Sequence, residues 1–174
     1  MPSLATLTRV TVLPPPREGS RPRIEPRLPH LQADQFSPPH VLGSLIERCL
    51  AIPDVLSRES RMAAPGTCAL ALPDHAAGGP SEAFIDAHEF CHLHPGPEGS
   101  IHLTLPDILG AEVERLAWGE RHPIGRLGLL PAVLTVYAPR NPKELDAVFD
   151  FVLNSCLFAR GKLWIPPDAG GGAT

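Results

Sequence analysis

The stretch from His88 to Leu105, HEFCHLHPGPEGSIHLTL, holds four histidines, three of which, His92, His94 and His102, lie in two short alternating runs on either side of a turn-forming PGPEGS segment. This pattern predicts a β-hairpin that carries a polar site. Residues two apart on a strand point the same way, so His92 and His94 share one face of the first run while His102 sits on the second. Histidine is the side chain whose ordinary pKa lies closest to neutrality, so such a cluster can serve as base, acid, proton relay or metal ligand. Register decides whether His102 joins the other two. Pairing His94 with Ile101 turns His102 to the opposite face, whereas a one-residue bulge brings it alongside. Convergence of His92, His94 and His102 would offer three nitrogen ligands to a divalent metal. Without it, single histidines simply bond the loop backbone.

Glu89 precedes this group and can orient a histidine or a substrate hydroxyl, or stand as a solvated strand residue. The run HEFCH is no zinc-protease motif, because it lies on a strand and that motif requires a helix. A second candidate wall is the segment WGERH, where a helix is expected to end and a loop to begin. There Trp118 offers an aromatic plane, Arg121 a fixed positive charge for an enolate or carboxylate, and His122 a proton acceptor. The plainer alternative makes Trp118 a core plug, with Glu120 and Arg121 in solvent. Tyr137, near the end of the next strand, can lend its hydroxyl or only pack its ring.

The elements that must position these groups are readable from periodicity. A helix is expected from an N-cap at Ser37, with Pro38 in its first position and Val41, Leu42, Leu45, Ile46, Cys49 and Leu50 on one face, up to a stop at Pro53. Thr67–Leu72 reads as an apolar strand, a second strand begins at Ala83, and the hairpin follows. Pro106 and Asp107 open a second helix that Gly119 ends with a positive φ. Ala132–Ala138 is rich in β-formers. Asn141, Pro142 and Glu144 then make a start resembling a capping box, for a third helix whose Leu145, Val148, Phe149, Val152, Leu153 and Cys156 repeat at helical spacing up to Gly161. The order predicts an α+β fold, a mostly antiparallel sheet with about three helices packed on it.

At 174 residues the chain suits one domain. Residues 1–32 are expected to form a Pro/Arg-rich, flexible arm, 33–164 the folded domain, and 165–174 a disordered tail. A formal net charge of -4 gives no basic field for nucleic acid or an anionic membrane. No run approaches the roughly 20 apolar residues of a bilayer span. Cys49, Cys68, Cys91 and Cys156 form no CxxC pair and read as reduced core residues. A cytoplasmic protein is expected, acting on a small molecule or, alternatively, serving as a non-catalytic module that binds a ligand or partner, with neither nucleic acid nor membrane as partner; the sequence leaves the oligomeric state open. No Walker loop, dinucleotide glycine fingerprint, nucleophile elbow or flavin signature occurs, so no organic cofactor is expected. A divalent metal on the three histidines is the one cofactor this reading leaves possible.

The ordered series EFCHLHP, GSIHLTLP, AWGERHP and VLTVYAPRNPKELDAV resembles the fungal-luciferase-type domain, over about Ala64 to Gly161. Small bacterial proteins of unassigned substrate share that resemblance. It implies oxidation of a hydroxylated pyrone or enol by molecular oxygen without an organic cofactor, through an unstable peroxide. On this implication a histidine among His92, His94 and His102 removes the enol proton. Arg121 or a second histidine then stabilises the anion, with His122, Trp118, Glu89 and Tyr137 contacting the substrate. Light emission does not follow from the resemblance, since function resides in the site and not in the fold.

Overall fold

The computed structural model describes residues 13–163 and 165. Helix α1 (Pro39–Leu50) leads into strands β1 (Leu56–Glu59) and β2 (Cys68–Ala71), and the hairpin strands β3 (Glu89–Leu93) and β4 (Ile101–Thr104) follow. Then come α2 (Asp107–Arg115), β5 (Gly119–Arg121), the short α3 (Pro123–Arg126), β6 (Val133–Val136) and α4 (Pro142–Ala159). Every neighbouring strand pair is antiparallel, in the order β1-β2-β3-β4-β6-β5. This is the expected α+β architecture.

Alternation along the strands splits the sheet into two unlike faces. Leu70, Cys91, Leu93, Ile101, Leu103, Leu134 and Val136 pack with Leu45 and Cys49 of α1 and with Val148, Phe151 and Val152 of α4. Burying each such side chain contributes on the order of 1.5–3 kcal/mol. The intervening residues His92, His102 and Thr135 are equally buried but face the other way. They lie beneath the chain that precedes α1. There Arg17, His30, Gln32 and Ser37 are buried, the Arg17 amide donates to the Leu116 carbonyl, and the Gln32 side-chain oxygen accepts from the Ala138 amide.

The segment read from sequence as a flexible arm is therefore, from residue 13 onward, a strap anchored across the sheet. Its anchors are single polar side chains that satisfy buried groups far along the chain, a kind of bonding with no periodic signature. Residues 1–12, and all of the expected tail except Ile165, lie outside the described residues.

Several boundaries differ from expectation for local reasons. Ser37 does not cap α1: its hydroxyl donates to the Pro139 carbonyl at 2.7 Å, and Pro38 takes the cap position. Helix α2 stops at Arg115, and Gly119 opens β5 instead of ending the helix. A Cβ at Gly119 would stand 2.3 Å from the Thr135 carbonyl oxygen, so close strand approach is what requires glycine there. Residues 83–85 are not a strand, because a 3-10 turn over Ser81–Ala83 replaces it. Strands β1 and β5 carry no readable pattern, the first being exposed along its whole length and the second only three residues long. Asn141 caps α4 through its side-chain oxygen and the Glu144 amide at 3.0 Å. Glu144 reaches past the cap to the Arg140 amide, so only half of a capping box forms. Gly161 ends that helix region at φ +65°.

Candidate functional site

Register brings the histidines together. His92 stands directly opposite His102 and Leu93 opposite Ile101, so both imidazoles emerge on the strap side of the sheet. His92 Nε2 lies 3.0 Å from His102 Nδ1, and His94 Nε2 lies 3.4 Å from that same nitrogen. A fourth ring, that of His122, meets His102 edge-on with centroids 4.5 Å apart.

Glu89 reaches this face because β3 is irregular. Leu70 pairs with Cys91 but Ala71 pairs with Glu89, so Phe90 is the extra residue of a bulge. The bulge reverses alternation for one step, which sends Phe90 into the core and swings Glu89 to the side of His92. Glu89 Oε1 then accepts from His92 Nδ1 at 2.7 Å and from the Ser60 hydroxyl at 2.9 Å. Of the three readings left open for Glu89, the structure shows it orienting a histidine. It is not solvated.

Burial governs the electrostatics. Loss of solvation, reinforced by the neighbouring imidazoles, pushes His94 down to about 3 and His122 to about 4, and holds His102 well below its ordinary value. These three rings are neutral near pH 7, each with a lone pair. His122 has committed its nitrogens already: Nδ1 accepts from the Ile124 amide at 3.3 Å, and the ring also bonds the Pro29 carbonyl.

His92, His94, His102 and His122 line one end of a cavity of about 320 Å3. Its other walls are Leu28 and Pro29 of the strap, Met62, Ala63, Ile85, Ile124, Leu130 and Val133. Among the described lining residues there is no lysine or arginine. A ligand there meets apolar walls and one polar floor of imidazoles.

The second wall does not form as one surface, and of the two readings left open for Trp118 the core plug holds. Trp118 belongs to the helix-side core: its ring packs against Phe151 at 6.1 Å, and its indole N–H donates to the Pro15 carbonyl. Arg121 turns toward α2, pairing with Asp107 at 2.7 Å and donating to the Pro131 carbonyl. The cause is β5, which the sequence had as a loop. Within a strand Glu120 faces the histidine side, opposite Thr135, while Arg121 shares the parity of Leu134. Tyr137 does not line the cavity either. Its hydroxyl donates to Glu120 Oε2 at 3.2 Å, and burial, with Glu120 beside it, raises its phenol to about 12.

His30 was not among the expected site residues. It hangs from the strap with Nδ1 2.9 Å from the Thr135 hydroxyl and Nε2 3.3 Å from Glu120, and its ring meets His122 edge-on at 5.1 Å. Nothing local marks it in sequence, because its partners are about a hundred residues away. Two histidine groups have nitrogens close enough to hold a metal ion: His92, His94 and His102, and His30, His102 and His122.

With this geometry in place, comparison with known proteins gives a consistent answer. The luciferase domain family matches residues 87–155, the span that contains Glu89, His92, His94, His102 and His122. Luciferases of Armillaria mellea and Armillaria gallica are 36% identical over 72 residues, which is 40% of this chain and 27% of each relative. The luciferase of Neonothopanus nambi is 38% identical over 63 residues, 34% of this chain and 24% of that protein. No solved structure gives a significant match. Residues 87–155 are thus similar to a luciferase domain. The match spans about a quarter of the length of these relatives, and His30 lies outside it. Among the described residues no helix is long and apolar enough to cross a membrane.

Proposed function

We propose that this chain is a small-molecule enzyme of the oxygenase type, acting on a hydroxylated enol or pyrone-like compound held against the histidine floor. The observation that carries the reading is the cavity itself, four imidazoles at one end of an otherwise apolar hollow. Such a site takes an apolar ring body and turns its one polar edge toward nitrogen. The enol proton passes to an imidazole, the electron-rich carbon bonds to oxygen, and a peroxide results. Arg121 has no part in this scheme, because Asp107 and the Pro131 carbonyl hold it elsewhere; a second histidine of the cluster takes over the stabilisation of the anion. The relatives named luciferase motivate the oxygen chemistry, and light emission remains a property of those longer proteins.

Oxygen uptake with a panel of small hydroxylated pyrones and enols tests the proposal. The parent protein should consume oxygen with at least one of them, and His92→Gln, His94→Gln and His102→Gln should each slow turnover by about 10²–10⁴-fold. Unchanged uptake in all three folded variants would end the proposal, and no uptake with any compound would remove the substrate class.

A further inference from the structure

We propose that His92 Nε2, His94 Nε2 and His102 Nδ1 form a binding site for one late first-row divalent metal ion, with Glu89 behind His92 and the remaining coordination positions toward the cavity. Imidazole nitrogens bound to one ion at about 2.0–2.1 Å stand roughly 2.9–3.4 Å from each other. The spacings of 3.0 and 3.4 Å to His102 Nδ1 already have that value. A hydrogen-bonded His92–His102 pair would need only one of these approaches. A single N–H cannot point along both, so the position of His94 is left without a purpose unless something sits among the three nitrogens.

Two further observations point the same way. The bond from His92 Nδ1 to Glu89 is the carboxylate support that metal-ligating histidines usually have, and it leaves Nε2 as the coordinating atom. The carboxylate is also short of positive charge: Glu89 Oε2 is buried without a hydrogen bond, and the nearest guanidinium, that of Arg58, stands 3.9 Å off on a residue 37% exposed. A dication among neutral imidazoles would balance it. Binding requires only that the His102 hydrogen sit on Nε2, the nitrogen that makes no hydrogen bond, so no net proton is released. Three neutral nitrogen donors favour ions such as Zn2+, Co2+ or Fe2+ over Mg2+ or Ca2+.

Hydrogen-bond accounting separates this triad from the other one. His30 has both nitrogens engaged, by Thr135 and Glu120, and His122 is engaged by Ile124 and Pro29. Neither His30 nor His122 has a lone pair to spare without breaking those bonds, so His102 would be the one ready ligand of that group. An ion on the first triad would take an enolate oxygen as a further ligand and hold its charge, the role otherwise left to the imidazoles.

The test uses full-length, chelator-stripped protein titrated with Co2+ and Zn2+, and it needs no substrate. One equivalent should bind, with cobalt d–d absorption. Nitrogen-15 histidine spectra of the zinc form should show attachment at Nε2 of His92 and His94 and at Nδ1 of His102. His92→Ala and His102→Ala should lose the bands, and His30→Ala should keep one equivalent. Glu89→Gln should bind about 10- to 100-fold more weakly. Less than about a tenth of an equivalent in the parent protein overturns the inference, as does a site that survives His92→Ala or is lost with His30→Ala. Should the alanine variants unfold, the nitrogen-15 spectra of the parent protein decide. Histidine-dependent oxygen uptake by metal-free protein would overturn the ion's part in holding the enolate and leave the oxygenase reading standing.

Discussion

Along β3, β4 and β6, neighbouring residues enter two different environments. Leu93, Ile101, Leu103 and Leu134 meet α1 and α4 in a continuous apolar core, while His92, His102 and Thr135 lie under the strap among hydrogen bonds and beside a cavity. On the first side many weak contacts share the work, so a similar apolar side chain serves nearly as well. On the second side the polar atoms depend on a few specific partners, and removing one strands a buried polar group. The histidine face is therefore where the molecule gives up packing for specific hydrogen bonds.

The largest loss is expected on the core side. Phe151→Ala should cost about 3–5 kcal/mol in urea unfolding, with no specific effect on the histidine cavity. A cost below about 1 kcal/mol would mean that α4 does not anchor the core face. On the other side, His92→Leu should cost about 2–3 kcal/mol by leaving Glu89 with Ser60 alone. The double variant His92→Leu with Glu89→Leu should recover most of that loss. If the two costs simply add, the pair is not coupled as described.

Acid should also separate the faces. His94 and His122 titrate at about 3 and about 4 in the folded chain, against an ordinary 6.5. Below 6.5 the unfolded chain therefore binds protons that the folded chain refuses. Stability rises with pH through this window and is lost as pH falls from about 6.5 toward 4. Melting temperatures between pH 7 and 4.5 should decline accordingly, and His94→Gln should flatten the slope; a parent curve already flat over that range would refute neutral buried imidazoles. The smallest effect belongs to residues on neither face. Leu129, 71% exposed, should tolerate Leu129→Ser within about 0.5 kcal/mol by urea melt. A larger loss would reveal packing that its exposure does not suggest.

How much of this was legible beforehand varied by element. Helix α4, the hairpin and the antiparallel α+β plan follow from apolar repeats and from Asn141 and Gly161, signals contained within a few turns of chain. The trio of His92, His94 and His102 was legible as a candidate through its i, i+2 spacing. Its convergence was not, because a one-residue change of register moves His102 to the other face. The core position of Trp118 was legible as one of two alternatives, while Arg121 was misplaced through β5, three residues whose pairing with β6 has no local pattern to announce it.

The chain's own order of residues settled which side chains alternate, where the long helices begin and end, and which imidazoles lie near the turn, because these depend on neighbours a few positions away. Tertiary structure alone decided the Phe90 bulge that delivers Glu89, the pairing that sets His92 against His102, and the return of His30 from the N-terminal strap. Each of those rests on bonds between distant segments, whose geometry exists only once the sheet has formed.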